Sequence, residues 1–165
     1  MTLSSSPLTT NSRNKFSFFV AGKAIPQGSM VSRGKFVVAA NAKPLYSWRQ
    51  EIASQCLKHR PAGWDITQPI SLHLVFVFPR PKSHFRTAKG CHTQLKPSAP
   101  QHHLVAPDND KLVRAVGDAI SITHAAIQND SLIVSLYSLK RYARQSIPDN
   151  YDPCGTRVTI IPLDS

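Results

Sequence analysis

Acidic residues are scarce in this chain: nine Asp and Glu stand against twenty Lys and Arg in 165 residues, a formal charge of +11 at neutral pH. None precedes Glu51, and none lies between Asp65 and Asp108. So basic a surface disfavours acidic partners and favours a polyanion such as nucleic acid. Cysteine is nearly absent as well. Cys56, Cys91 and Cys154 are an odd number at wide spacing, which excludes a disulfide framework and makes reduced thiols in the cytoplasm the expectation. No apolar run approaches the ~20 residues of a membrane span. The leading MTLSSSPLTTNSRNK lacks the apolar stretch of a signal peptide, so no membrane association is expected. What is present is enough for a core, because 41% of residues are hydrophobic. The length fits one domain over 15–165 behind a flexible polar tail at 1–14.

Along the chain, Lys15–Gly22 and Phe36–Ala40 read as short strands separated by the loop AIPQGSMVSRGK. From Pro44 to Arg60, Leu45, Trp48, Ile52 and Leu57 recur at helical spacing, with Pro44 in the first turn. Pro69–Phe78 alternates Ile, Leu, Leu, Phe and Phe with Ser, His, Val and Val, the pattern of a strand with one face on the core and the other half covered. Residues 79–107 carry five prolines, five cations, four histidines and no acid, and read as a long basic loop: a solvated insertion or an arm that orders on DNA. Asp108–Ile120 is a helix with Leu112, Val113, Val116 and Ile120 as its apolar stripe and Asp108 as N-cap. Strands over Ser131–Tyr142 and TRVTIIPL follow. The order β-β-α-β-loop-α-β-β predicts an α+β two-layer sandwich, a mixed, mostly antiparallel sheet with two helices on one face.

Four of the nine acids fall within 23 positions: Asp108, Asp110, Asp118 and Asp130. Acids gathered in a basic chain oppose phosphate binding unless a metal ion bridges them. If the strand after Asp130 packs beside the helix, Asp130 returns to the helix N-terminus and joins Asp108 and Asp110. Three carboxylates with cations alongside suit Mg²⁺ and metal-assisted phosphodiester hydrolysis, with a neighbouring Lys or Arg stabilising the developing charge. Each residue also has a plainer use. Asp108 suits an N-cap, Asp110 a first-turn acid, Arg114 and Asp118 an i,i+4 pair, and Asp130 after Asn129 a turn. Spacing leaves both readings open. Lys23, Arg33, Lys35, Arg80, Lys82, Arg86 and Lys89 are candidate DNA contacts or simple solubility charges. Cys91–His92 and His102–His103 lack zinc spacing. Trp48 and Trp64 are expected in or near the core, and Phe85 in the basic loop is a candidate wedge into opened nucleic acid.

The stretch APDNDKLVRAVGDAI followed by QNDSLIVSLYSLKRY resembles the core signature of RusA-type Holliday junction resolvases. The matching residues are Asp108, Asp110, Arg114, Asp118, Asn129–Asp130 and Lys140. VAGKAIPQGS, PLYSWRQEIASQ and VFVFPRPKSH resemble the family's opening more loosely, so that the likeness runs over about Phe16–Tyr142. The resemblance implies a homodimeric Mg²⁺-dependent endonuclease, with Mn²⁺ a substitute and no organic cofactor, that resolves four-way DNA by paired nicks in recombination and repair. It implies a bacterial or phage-infected cell, with Asp108, Asp110 and Asp130 on the metal, Arg114 as catalytic cation and Lys140 among the DNA contacts. The chain departs from the pattern at Lys111, Arg114 and Asn129, where the family more often has Asn, Lys and Asp, and its loop before Asp108 is long. Arg is a planar fork rather than a compact ammonium, so Lys111 is a second candidate for the catalytic cation. These departures leave open a DNA-binding protein weakened in catalysis and a broader flap or fork nuclease.

Overall fold

The computed structural model describes residues 14–28, 30–33, 35–39, 41–89, 94–147 and 150–163. The expected tail, apart from Asn14, and the Cys91–His92 pair lie outside them.

The main sheet has four strands: β1 (Phe16–Ala21), β4 (Ile70–Phe78), β5 (Ile133–Tyr142) and β8 (Gly155–Pro162). Their order is β1-β8-β4-β5, with β1/β8 and β8/β4 antiparallel and β4/β5 parallel. Two helices, α1 (Ala42–His59) and α2 (Asn109–Ile122), pack on each other and on this sheet. The expected α+β arrangement is the observed one.

Strand alternation decides which face the helices cover. On β4, Ile70, Leu72, Leu74, Phe76 and Phe78 are all buried. The register sets Val158 and Ile160 of β8 opposite Leu74 and Leu72, and Phe18 and Phe16 of β1 opposite Val158 and Ile160. All of these join Leu45, Trp48 and Ile52 of α1 and Leu112, Ala115, Val116, Ala119 and Ile120 of α2 in one core. Trp64 packs against that core, donating its indole N–H to Ala126 O at 2.7 Å. Both tryptophans therefore serve packing, as expected. On the second β4 face, His73 and Val75 are only half buried, as the alternation implies.

Two small hairpins depart from the expectation. The expected loop before Phe36 contains β2 (Met30–Arg33), which pairs with β3 (Phe36–Ala39). The polar segment after Tyr142 contains β6 (Gln145–Ile147) and β7 (Asn150–Tyr151). Both were hidden because runs this short carry little alternation, and pairing across a turn makes them strands. The basic segment 79–107 is also more ordered than a solvated loop. It has a 3-10 turn at Lys82–His84, a bridge between Phe85 and Leu95, and a hydrogen bond of 2.8 Å from Arg86 N to Gln94 O.

Candidate active site

The site is built on the N-terminus of α2, and edge strand β5 holds that terminus in place. Ser138, Lys140 and Tyr142 oppose Leu74, Phe76 and Phe78 in the β4/β5 register, so their side chains rise on the helix-bearing face. Each ties down part of the chain entering α2. Ser138 Oγ donates to Asn109 Oδ1 at 2.8 Å. Lys140 Nζ donates to Val105 O and Pro107 O, both at 2.8 Å. Tyr142 carries the Arg80 guanidinium 4.7 Å from its ring centroid, with the rings of His103 at 4.7 Å and His84 at 5.2 Å. Arg80 also donates to Pro100 O at 2.9 Å. Two of the expected DNA contacts, Lys140 and Arg80, thus hold protein backbone.

Asp108 is the N-cap of α2 by backbone conformation, yet its side chain makes no capping bond. Its carboxylate meets Lys111 Nζ at 2.8 Å instead. That hydrogen bond and the lysine charge hold the Asp108 carboxyl below its usual range, with Lys140 adding to the effect. Lys111 is correspondingly raised, first by Asp108 and further by the negative charge of Asp110. Asp108, Asp110, Lys111 and Lys140 therefore form one electrostatic group at the helix end. Asp108 and Lys111 open into a cleft of about 380 Å³ whose other walls include Lys23, Pro26, Gln27 and Pro107. Lys23 is thus brought to the site as a candidate DNA contact.

Asp130 lies elsewhere. It lines a separate pocket of about 240 Å³ with Arg114 and Asp118, one and two helical turns beyond Asp110. The expected return of Asp130 to Asp108 and Asp110 does not occur within this chain. Among the described residues, no three His, Cys, Asp or Glu side chains stand together as a metal cage. The physical reason is where β5 starts: a 3-10 turn at Asp130–Leu132 launches the strand beside the middle of α2. Asn129, through its side chain and the Ser131 N–H at 2.9 Å, supplies the turn chemistry. The expected Arg114–Asp118 pair is replaced too. Asp118 pairs with Arg49 of α1, and Arg49 also donates to the Gln27 side chain.

Arg49 and Gln27 are the residues the sequence reading missed. Gln27 N donates to Lys111 O at 3.0 Å, and Asn41 Nδ2 to Pro26 O at 2.8 Å, so the loop after β1 is fastened to the first turn of α2 and to the N-cap of α1. The available signal was helical spacing: Arg49 is four residues after Leu45 and falls on the inward stripe with Trp48, Ile52 and Ala53.

Of the remaining candidate DNA contacts, Lys35, Lys82, Arg86 and Lys89 are exposed, and the side chain of Arg33 lies outside the described residues. Phe85 is half buried at the bridge to Leu95 rather than projecting freely. His103 is buried against Phe78, with ring centroids 4.3 Å apart. No helix among the described residues is long and apolar enough to cross a membrane.

As for a metal, Mg²⁺ typically takes one or two protein carboxylates and completes its shell with water and substrate phosphate. Two exposed carboxylates that both act on Lys111, beside an open cleft, match that donor set. The family model described as "Endodeoxyribonuclease RusA" matches residues 22–148 of the chain. No curated protein matches the chain.

Proposed function

The chain belongs to the RusA endodeoxyribonuclease family, and from that premise we propose that it is a Mg²⁺-dependent resolvase that nicks four-way DNA junctions in recombination and repair. The observation that carries this reading is the N-terminus of α2, where the Asp108–Lys111 ion pair lines an open cleft and the charges of Lys140 and Asp110 act on its two members. Asp108 and Asp110 would hold the Mg²⁺, which when bound would supply an activated water and offset charge on the phosphoryl oxygens. Lys140 holds the carbonyls of Val105 and Pro107 and so fixes the approach of the chain to Asp108. Lys111 stays protonated beside Asp108 and favours charge building on the phosphate. Arg114, which the resemblance makes the catalytic cation, is the other candidate for that role. It is exposed and forms no ion pair among the described residues, but it faces Asp130 and Asp118 rather than the cleft. Asp130, the third expected metal ligand, stands with Arg114.

A homodimer is part of this proposal, because a two-fold pair of sites matches the two equivalent nicks of a four-way junction. Affinity for the junction then rests on phosphate contacts from the basic surface and falls with salt.

The test is a panel of four-way, flap and fork substrates in Mg²⁺ or Mn²⁺, comparing wild type with Asp110→Asn. Paired symmetric nicks confined to the junction are expected, with loss of about 100-fold or more in rate for the variant. Junction binding without any nick marks a catalytically weakened binder, and equal cutting of all branches marks a broader nuclease.

A further inference from the structure

The sheet order β1-β8-β4-β5 leaves two edges, and they differ in kind. On β1 the exposed residues are Ser17 and Ala21, while Phe16, Phe18 and Val20 turn into the core. On β5, Val134, Leu136 and Tyr137 are 61%, 50% and 52% exposed. They belong to a run, Ile133–Leu139, that holds no charge, proline or glycine. Edge strands are ordinarily guarded by charge, proline, a bulge or a cover, because their free N–H and C=O groups invite another strand. β5 has a register shift at its start, between Ile133 and Ser135, and none of these devices from Ser135 to Tyr137. Among the described residues it pairs with β4 alone. Its later part is engaged, since Ser138 and Lys140 hold the chain entering α2, so the open stretch is the first half. That stretch is apolar on both faces of the sheet. Leu136 stands opposite Leu72 on the helix-bearing face, and Tyr137 opposite His73 on the other, with ring centroids 5.7 Å apart.

We propose that this edge is occupied by a second copy of the chain, β5 pairing antiparallel with β5 of the partner about a two-fold axis near Leu136. The two four-stranded sheets then join into one of eight. The inference rests on the homodimer proposed above and names the surface that forms it. Three arguments favour a second copy over a strand from another protein. Self-pairing sets the uncharged run against itself, so apolar residues meet apolar residues on both faces and no like charges are opposed. The exposed Asp130 precedes the run, and Lys140, whose hydrogen-bond partners are neutral carbonyls, follows it. Antiparallel pairing therefore turns the acidic end of each strand toward the basic end of the other. The axis of such a pair stands normal to the sheet, which keeps both helix layers on one side. The clefts at the two α2 N-termini then open on the same side, as two nicks in one junction require.

The test is sedimentation equilibrium of the full-length protein without DNA, comparing wild type with Leu136→Lys and Tyr137→Lys. Each variant puts a charge on one face of the edge, at a residue exposed enough to accept it in a folded monomer, and thermal melting checks that it folds. Wild type is expected at twice the mass of the chain, and each variant to dissociate with a constant raised about 10-fold or more. Amide hydrogen exchange gives a readout that needs no substitution. The peptide over residues 133–139 is expected to gain protection as wild-type concentration rises, and to gain none in a folded monomeric variant. A dimer that survives both substitutions, or a peptide whose exchange ignores concentration, overturns this interface and leaves the homodimer to another surface. A wild-type protein that stays monomeric overturns the interface and the homodimer together. Mass and exchange do not depend on hydrolysis, so a dimer of this kind that makes no nicks in Mg²⁺ keeps the interface and removes the nuclease.

Discussion

Arg49 of α1 and Asp118 of α2, 69 residues apart in the chain, form the ion pair that joins the two helices, and Arg49 extends the link to Gln27. Their side chains are 21% and 28% exposed, so the pair is shielded but not dry. Arg49→Ala leaves Asp118 and Gln27 without their partner and is expected to lower stability by about 1–3 kcal/mol. Arg49→Lys keeps the charge but cannot span both acceptors, and is expected to recover only part of the loss. Urea unfolding checks this: the midpoint falls at constant slope, in the order wild type, Lys, Ala. Equal midpoints for Ala and wild type rule the linkage out.

Asp108 and Lys111 stabilise each other over a wide pH window. Asp108 is held below the ordinary carboxylate value, so its contribution is full above that value and is lost as pH falls through the lower folded pKa. Lys111 is raised above 10.5, so its contribution is full below that value and is lost as pH rises through the higher folded pKa. Neither group titrates near neutrality, and neither puts a limb on a neutral-range rate profile. Asp108→Asn is expected to bring the Lys111 pKa down, read by NMR titration of its side-chain ammonium. An unchanged lysine pKa in that variant shows the pair to be absent in solution.

Tyr142 is the pin of the basic segment, touching Arg80, His84 and His103. Tyr142→Ala removes a buried ring and is expected to cost about 3–5 kcal/mol. It is also expected to increase trypsin cleavage after Lys82, Arg86 and Lys89. Tyr142→Phe keeps the ring and its contacts and is expected to stay near wild type in both measurements. A proteolysis pattern unchanged in the Ala variant shows that something else orders the segment.

Cys56 is fully buried on α1, and burial pushes its thiol up to about 12. Cys154 is raised less, by partial burial and then by the charge of Asp152. Alkylation follows the thiolate. Iodoacetamide at neutral pH is therefore expected to leave Cys56 untouched and to modify Cys154 slowly in the native protein, and to modify both readily after denaturation. Peptide mass mapping reads both sites, and rapid native labelling of Cys56 contradicts its placement in the core.

The parts of the fold that could be read along the chain are those whose signal is local. β4 and α2 each carry one strong period, and both stand within two residues of the expected bounds. Asp108 and Asp110 at the entry to α2 were legible for the same reason. β2, β6 and β7 were not, because each is four residues or fewer and becomes a strand only when its partner is beside it. Arg80 and Lys140 read as free cations because charge is visible in a sequence and a backbone carbonyl waiting for it is not.

The sequence by itself determined the layer architecture, the carboxylates at the start of α2, the basic surface and the family. These follow from periodicity, composition and a motif contained within a few turns of chain. Tertiary structure alone decided the pairings. Asp118 pairs with Arg49 rather than Arg114, Asp130 settles beside Arg114 rather than Asp108, and His103 turns inward against Phe78 with a nitrogen unpaired. The physical reason is common to all three. Partner choice depends on where two distant segments meet, and that is set by strand register and helix packing, neither of which any single stretch of sequence contains.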